Sequence, residues 1–463
     1  MVIEMANCFL KLASCLLGLS LLTASVLSAQ NLTDELVVKI AAPLVENKVA
    51  DGLSIGYLEG DHYGIVHLGT ATNNGKRADN LTVYEIGSIS KVFTSLLLAD
   101  AVVRGEIELD AAVNVDNAAG IRLPSYEGRA IQWIDLSTHR SGLPRLPANL
   151  EVTSLKNPYQ LYDSTKASAT LANLKLARKP GASHEYSNFA VSVLGYLLAE
   201  KAKSTYQDLL RETIAKPLGM NDCCVDLTSD QKKRFATPHD KFGSSTLAWT
   251  FADMPGAGGI HATMFDMMRF AKAQLSPPPG KLGEAIELTW KQHSTADASG
   301  PATGLGWMIH GDGETRWHNG GTGGSRTAIL INRRIKSAVI VLCNTSVITE
   351  VDELAAQLIQ VAAGIKIAKP VEGKSPADAK LRARLVGQYK LANFIFDVED
   401  RAGHLMVRLS GQEFNEVFPD SETKWSYRGI DAMIEFKLDR TGPASQLTLH
   451  QNGKQQVARR IGK

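Results

Sequence analysis

Apolar residues recur in short runs along the chain, separated by polar and glycine-rich stretches. Apolar residues that recur every three or four positions predict helices, and alternating or β-branched runs predict strands. The predicted helices cover 36–45, 92–103, 189–202, 206–214, 263–275 and 351–363. The predicted strands cover 53–58, 63–68, 307–310, 328–332 and 338–343. Between residues 36 and 363, predicted strands lie at both ends and helices lie between them. This order indicates an α/β (α+β) fold, in which strands from both ends form one sheet and a helical region is inserted between them.

The pattern changes beyond residue 365. Residues 366–382 are charged and contain two prolines, which is typical of a linker. Residues 383–463 are rich in short strand-like runs, at 394–398, 405–409, 425–428, 433–438, 447–451 and 455–461. The dipeptide Asn452-Gly453 between the last two runs indicates a hairpin. We therefore predict a separate small all-β domain of barrel or sandwich type.

The N-terminus carries the longest apolar run. Residues 12–27 are nearly all apolar or small, and Ser28-Ala29 suits cleavage, so we predict a signal peptide over 1–29. A retained membrane anchor is an alternative, although the run is a little short to span a bilayer. A lipoprotein box at residues 12–15 is another, although its apolar run follows Cys15. We expect a secreted or periplasmic protein, with any membrane association only through this segment.

Length and composition exclude several classes of protein. The chain has 463 residues, which indicates two or three domains. Hydrophobic residues at 44% and charged residues at 21% are typical of a soluble globular protein, and a net charge of +2 gives no attraction to nucleic acid. Beyond residue 29 the cysteines are Cys223, Cys224 and Cys343, a set that predicts no disulfide framework. No Cys/His cluster has zinc spacing, so we expect no metal and no cofactor.

The first candidate for chemistry is the segment 84–91, which ends in Gly-Ser-Ile-Ser-Lys before a predicted helix. Ser88 then lies near a helix N-terminus and Lys91 one turn further on, so the amine can reach the hydroxyl. A serine needs a neighbouring base to become a nucleophile, and a buried neutral amine can be that base. Alone, the four residues from Ser88 to Lys91 are more typical of an ordinary helix start with a solvated lysine.

Two further motifs carry polar groups next to predicted elements. Tyr186 and Asn188 directly precede a predicted helix and can present a phenol and an amide to a cleft. An aromatic anchor with an Asn cap is the simpler alternative. The segment 317–324 places His318 before four glycines in strand-like surroundings. Such glycines let a ligand or another backbone approach closely, or serve only as a hinge or bulge.

Together and in this order, the three motifs resemble those of the serine β-lactamase and penicillin-binding protein family. The nearest in pattern are class C β-lactamases and their DD-peptidase and esterase relatives. The resemblance covers roughly residues 35–365. Segment 84–91 looks like the family's active-site signature, and residues 136–144 and 256–259 are similar to two further family segments. Residues 383–463 resemble the lipocalin-like extension of some family members.

The resemblance implies a fold and a set of roles. The fold is an antiparallel sheet flanked by helices plus an all-helical subdomain, over residues 30–365. Ser88 would be acylated, Lys91 would take its proton, and Tyr186 would share the general-base work and protonate the leaving nitrogen. Backbone N–H groups of Ser88 and Gly321 would form the oxyanion hole. The substrate-binding positions implied are Asn188, His318, Gly320, Gly321 and Asn344.

The function implied first is hydrolysis of the β-lactam amide bond, which is the chemistry of antibiotic resistance. A D-Ala-D-Ala carboxypeptidase or D-aminopeptidase comes second and a carboxylesterase third, so the substrate is a small β-lactam or a D-amino-acid peptide of peptidoglycan. His318 replaces the family's lysine and gives less charge for a substrate carboxylate. A non-catalytic penicillin-binding or peptidoglycan-binding sensor is an alternative of another class. The Gly-x-Ser-x-Gly match at 52–56 lacks the strands that an α/β-hydrolase elbow requires before it.

Overall fold

A computed structural model describes residues 31–150, 157–347, 349–365, 378–401, 403–412, 414–427, 432–451 and 454–461. The predicted signal peptide and most of the predicted linker lie outside these residues, as does the Asn452-Gly453 turn. Within these ranges, no helix combines the length and the apolar character needed to cross a membrane. Cys223, Cys224 and Cys343 are free thiols.

A six-stranded antiparallel sheet is the centre of the larger part of the protein. Its strands are β1 (Gly52–Glu59), β2 (His62–Gly69), β7 (Met308–Ile309), β8 (Thr315–Gly321), β9 (Arg326–Asn332) and β10 (Ser337–Cys343). The order is β2-β1-β10-β9-β8-β7. β1 pairs with β10 from Leu53↔Cys343 to Glu59↔Ser337, so the two ends of this region share one sheet, and the sequence prediction is confirmed.

Helices cover both faces of this sheet. The helices of the region are α1 (Asp34–Glu46), α2 (Ser90–Val103), α3 (Trp133–Ser137), α4 (Ser164–Asn173), α5 (Asn188–Lys201), α6 (Tyr206–Leu210), α7 (Lys216–Leu218), α8 (Ser229–Lys233), α9 (Met264–Leu275), α10 (Lys281–Trp290) and α11 (Glu350–Ala362). α1 and α11 form one apolar cluster with β1 and β10, because Val37, Ile40 and Leu44 share one side of α1. α9 packs on the opposite face.

α2 is the central helix of the inserted region. It is buried on nearly all sides, and α5 and α10 pack against it. A helix that is apolar all round is stable only inside a core. Two short strands, β3 (Val83–Glu85) and β6 (His261–Thr263), pair with each other just before α2 and α9. Another short pair, β4 (Ser125–Tyr126) and β5 (Arg129–Ala130), lies between α2 and α3 in the chain.

Some elements differ from the sequence prediction. The helix predicted over 206–214 is α6 followed by a π-helical turn, Arg211–Ala215, and then α7. Pro217 has no N–H to donate, so the regular ladder does not continue through this point. The apolar pattern does not predict α4, whose buried side is formed by Ser164, Ala167 and Leu171 and gives only a weak periodic signal.

The last strands form a closed eight-stranded barrel, which decides between the predicted barrel and sandwich. The strands are β11 (Gly387–Leu391), β12 (Phe394–Arg401), β13 (His404–Leu409), β14 (Asn415–Pro419), β15 (Lys424–Tyr427), β16 (Ala432–Lys437), β17 (Gln446–Gln451) and β18 (Lys454–Ile461). β11 and β14 are not predicted by the sequence. Helix α12 (Ala379–Leu385), which includes the end of the predicted linker, places Leu385 in the barrel core beside Tyr389, Trp425 and Phe436.

We predict that residues 30–365 fold without the barrel. The apolar cluster of the barrel runs from Leu385 to Ala458, and the other two clusters lie within Leu32–Ala362. A chain that lacks residues 375–463 is therefore expected to remain soluble and to melt cooperatively in a circular-dichroism experiment. An insoluble or non-cooperative product would show that the boundary at 365–383 is wrong.

Candidate active site

Ser88 lies in a single 3₁₀ turn, Gly87–Ile89, directly before α2. Lys91 is the second residue of α2, and its Nζ is 3.0 Å from Ser88 Oγ. The same Nζ donates to the carbonyl of Ala257 at 2.6 Å. The contact that the spacing of Ser88 and Lys91 predicts is therefore present, with a half-exposed hydroxyl next to a fully buried amine.

The surroundings of Lys91 favour its neutral form. Burial lowers the pKa of the amine well below its usual value of 10.5, and the positive charge of Arg145 lowers it further. A buried amine that has lost its proton is able to accept one from a neighbouring hydroxyl. Lys91 can thus act as the base that a serine nucleophile requires.

Tyr186 lies beside this pair. Its ring centroid is 5.0 Å from Lys91 Nζ and 5.0 Å from Arg145 Cζ. Burial nevertheless raises the pKa of Tyr186 to about 12, because it outweighs the opposing effects of the Ser88 hydrogen bond and of Arg145. The nearby cations therefore do not bring this pKa below its ordinary value, and the phenol keeps its proton. Tyr186 can donate a proton more readily than it can act as a phenolate base.

His139 holds the backbone on both sides of Tyr186. Its carbonyl accepts the Glu185 N–H at 2.8 Å, and its Nδ1 accepts the Ser187 N–H at 3.1 Å. The imidazole also packs on the Tyr186 ring, with the ring centroids 4.4 Å apart. Burial lowers the pKa of His139 well below its usual value, which keeps Nδ1 an acceptor. The sequence offered only a family-like loop here, and the role of His139 was not predicted.

Asn188 opens α5 next to Tyr186. Its Nδ2 donates to Tyr159 Oη at 3.3 Å, and its backbone N–H donates to the Arg145 carbonyl at 3.1 Å. Among the described residues, no hydrogen bond joins Asn188 to Lys91. Asn188 Oδ1 is buried, and no described residue donates to it, so an acceptor remains for a substrate N–H.

The glycines of β8 lie against the turn that carries Ser88. β7 pairs with β8 only at Met308↔Trp317 and Ile309↔Arg316, so in the described structure His318–Gly321 is an edge with a partner on one side, β9. A Cβ added at Gly320 would lie 2.1 Å from the Ile86 carbonyl oxygen, and one added at Gly87 would lie 2.7 Å from Gly321 N. Only glycine permits this backbone-to-backbone approach. It places Gly321 N beside the Ser88 segment.

His318 is neutral and offers an acceptor. Its Nδ1 donates to the Asn319 carbonyl at 2.6 Å, which leaves Nε2 without a proton. Nε2 is buried and has no partner among the described residues. Burial, with the nearby charge of Lys91, lowers the pKa of His318 to about 3. The position that holds a lysine in the family signature therefore supplies no positive charge here.

Asn344 does not present its amide to a ligand in this structure. It is fully buried at the end of β10, and its Nδ2 donates to the carbonyls of Thr70, Ala71 and Thr237. The substrate-binding position implied for Asn344 is thus corrected to a structural one. The amide joins three chain segments that are remote in sequence, so its local pattern gave no sign of this use.

Glu85 is a buried carboxyl group that the sequence pattern did not single out. It accepts the Trp249 N–H at 2.7 Å and the hydroxyls of Thr322 and Ser325 at 3.0 and 3.1 Å. Burial raises the pKa of Glu85 to about 7. Through its hydrogen bonds to Thr322 and Ser325, the Glu85 carboxyl group joins β3, the strand before Ser88, to the loop that follows Gly321. In the described part of the chain, no cluster of three or more His, Cys, Asp or Glu side chains is placed to hold a metal ion.

The chain is similar to proteins of one family over most of the residues that form the six-stranded sheet and its helices. The family model described as Beta-lactamase matches residues 39–364. The D-alanyl-D-alanine-carboxypeptidase/endopeptidase AmpH of Escherichia coli (strain K12) is 29% identical over 276 residues, covering 56% of this chain and 69% of that protein. A Beta-lactamase of Pseudomonas fluorescens is 25% identical over 283 residues, covering 60% and 74%.

Solved structures show the same fold. A class C beta-lactamase matches with a TM-score of 0.62 at 19% identity, covering 73% of this chain and 97% of its own. A second class C beta lactamase structure matches with a TM-score of 0.61 at 20% identity, covering 70% and 97%.

We predict that Glu85→Ala destabilises the protein. Three donors would lose their acceptor in the core, so the free energy of unfolding should fall by about 3 kcal/mol. Urea denaturation at pH 8 measures the change. Glu108→Ala, which removes an exposed carboxylate, is the control and should change stability by less than about 0.5 kcal/mol. Equal effects of the two substitutions would contradict the role assigned to Glu85.

Proposed function

Because the chain belongs to the Beta-lactamase family, we propose that it is a serine hydrolase that works through an acyl-enzyme on Ser88 and hydrolyses the amide bond of β-lactams. The observation that carries the proposal is the 3.0 Å approach of Lys91 Nζ to Ser88 Oγ in a site that favours the neutral amine. We also propose a secreted or periplasmic location, on the basis of the apolar N-terminal run.

Acylation uses four residues, Ser88, Lys91, Tyr186 and Gly321. Neutral Lys91 takes the proton of Ser88 as Oγ attacks the carbonyl carbon of the substrate. The backbone N–H groups of Ser88 and Gly321 stabilise the oxyanion of the tetrahedral intermediate. The intermediate collapses, the C–N bond breaks, and the Tyr186 phenol gives its proton to the leaving nitrogen. The phenolate recovers a proton from protonated Lys91.

In deacylation, water is the nucleophile and Ser88 Oγ is the leaving group. A water molecule attacks the Ser88 ester and loses a proton to neutral Lys91, and Ser88 Oγ leaves with a proton returned to it. The net reaction adds one water across the amide bond, and the catalyst is regenerated. The substrate acyl amide donates to Asn188 Oδ1, the buried acceptor that has no partner among the described residues.

A D-alanyl-peptide hydrolase is the second candidate. His318, a neutral imidazole whose free nitrogen is an acceptor, attracts the carboxylate of a β-lactam or of a D-alanyl terminus less than a lysine does, so it does not separate the two candidates. AmpH, one of the similar proteins, is named as a D-alanyl-D-alanine carboxypeptidase/endopeptidase. A D-aminopeptidase or a carboxylesterase would use the same acyl-enzyme, and a non-catalytic sensor would keep its acyl group indefinitely.

We predict that Ser88→Ala abolishes hydrolysis of a chromogenic cephalosporin without unfolding the protein. Removing the nucleophile removes the acyl-enzyme, and Ser88 is half-exposed in the 3₁₀ turn before α2, so the core is unchanged. The change in absorbance gives the turnover, and a thermal melt controls for folding. Residual turnover above a few per cent would contradict the nucleophile. Wild-type acylation without release would move the assignment to a peptidase, an esterase or a sensor.

We predict that kcat/KM falls at low pH and that Arg145→Gln moves this acidic limb to higher pH. Activity requires neutral Lys91, and its lowered pKa places the limb well below the ordinary lysine value. Removing the positive charge of Arg145 makes protonation of Lys91 easier, so the pKa rises. A pH–rate profile of both proteins measures the shift. A limb that stays in place, or moves to lower pH, would argue against Lys91 as the base.

A further inference from the structure

Arg145 is a positive charge at the active site that has no acidic partner among the described residues. Its carbonyl accepts the N–H groups of Asn188 and Phe189 at 3.1 and 3.3 Å, which fixes the residue to the start of α5. Its guanidinium lies over the Tyr186 ring, 5.0 Å from the centroid. The side chain is half-buried, so an anion that reached it would be partly desolvated. Such charge pairs are stronger than pairs in open solvent.

Among the residues that the structure describes, the other basic side chains near Ser88 are not available to an anion. Lys91 is fully buried and bonded to Ser88 and Ala257. His318 is neutral and presents an acceptor. Arg326 is paired with Asp352 through both Nε and Nη2. Positive charge is therefore concentrated at Arg145, next to Tyr186 and Asn188.

An aromatic wall adjoins Arg145 on the Asn188 side. Tyr159 accepts the hydrogen bond from Asn188 Nδ2, and its ring stacks on Phe251 with the centroids 5.1 Å apart. Trp249 meets the same ring edge-on at 5.2 Å. All three rings are half-buried, so each keeps a face or edge toward solvent. An apolar group can pack here while its polar end reaches Arg145.

We propose that this pocket, formed by Arg145, Asn188, Tyr159, Trp249 and Phe251, selects acyl donors that carry a carboxylate on the acyl side chain. The carboxylate pairs with the guanidinium, which binds such groups through two parallel N–H···O bonds. The apolar part of the acyl group packs on the aromatic wall, and the amide N–H donates to Asn188 Oδ1. The proposal rests on the acyl-enzyme function and adds a substrate class to it.

Two penicillins that differ by one group provide the test. Benzylpenicillin and α-carboxybenzylpenicillin share the β-lactam and the phenyl ring, and only the second has a carboxylate on the acyl side. The second-order rate constant for acylation of Ser88 is measured for each by mass spectrometry, and their ratio defines the selectivity. Taking the ratio within each protein removes the intrinsic reactivities of the two compounds.

We predict that Arg145→Gln lowers the selectivity for the carboxylated penicillin about tenfold, as expected for loss of a partly desolvated ion pair. Arg145→Lys should keep most of the selectivity, because it keeps the charge. Added salt should reduce the selectivity of the wild type. Arg77→Gln, which removes an exposed guanidinium, is the matched control and should leave the ratio unchanged.

Three outcomes would overturn the proposal. If Arg145→Gln slows both penicillins equally, Arg145 acts only through the basicity of Lys91. If Arg77→Gln lowers the ratio as much, the effect is one of net charge. If neither penicillin acylates Ser88, p-nitrophenyl hydrogen succinate and p-nitrophenyl butyrate replace them, and an Arg145-independent ratio there rejects the carboxylate preference. Ser88-independent hydrolysis of all four compounds rejects the proposed function itself.

Discussion

The active site depends on the burial of the Lys91 amine away from water. Lys91 is buried between the Ser88 hydroxyl and the Ala257 carbonyl, and removal from water is the main reason that its pKa is depressed. Maintaining this enclosure requires a helix that is surrounded by protein, which α2 is. It also requires a second chain segment at the amine, which the 3₁₀ turn Pro255–Ala257 supplies. The helical region inserted into the sheet thus serves mainly to keep water from one nitrogen.

Buried hydrogen bonds to loops hold the residues around Lys91 in place. The segment 139–145 accepts hydrogen bonds from residues 185–189 at His139, Pro144 and Arg145, so Tyr186 is held by a loop far away in sequence. Glu85 holds the segment after Gly321 in a comparable way. The phenol and the edge strand therefore take their positions from buried polar bonds, and the apolar core contributes only indirectly.

The sequence predicted what local spacing controls. Ser88 and Lys91 are three residues apart at a helix start, so their contact follows from helix geometry. Five of the six strands of the sheet were predicted from apolar runs, and the sixth, β8, was not among them because it contains no such run. The use of Asn344 and Glu85 depends on segments more than 100 residues away, which no spacing encodes. The protonation state of Tyr186 depends on the burial of its phenol, which a sequence motif does not show.

The contact of Gly87 and Gly320 with neighbouring backbone has a consequence for how such an enzyme can diverge. The two proposed oxyanion donors are main-chain groups, positioned where one main chain meets another without side chains between them. Side-chain substitutions elsewhere leave that geometry intact, whereas the wall around Arg145 is made of side chains alone. Side-chain substitutions in the aromatic wall can therefore change substrate preference and leave the oxyanion donors in place, whereas a change at Arg145 also alters the basicity of Lys91 and so links the two properties.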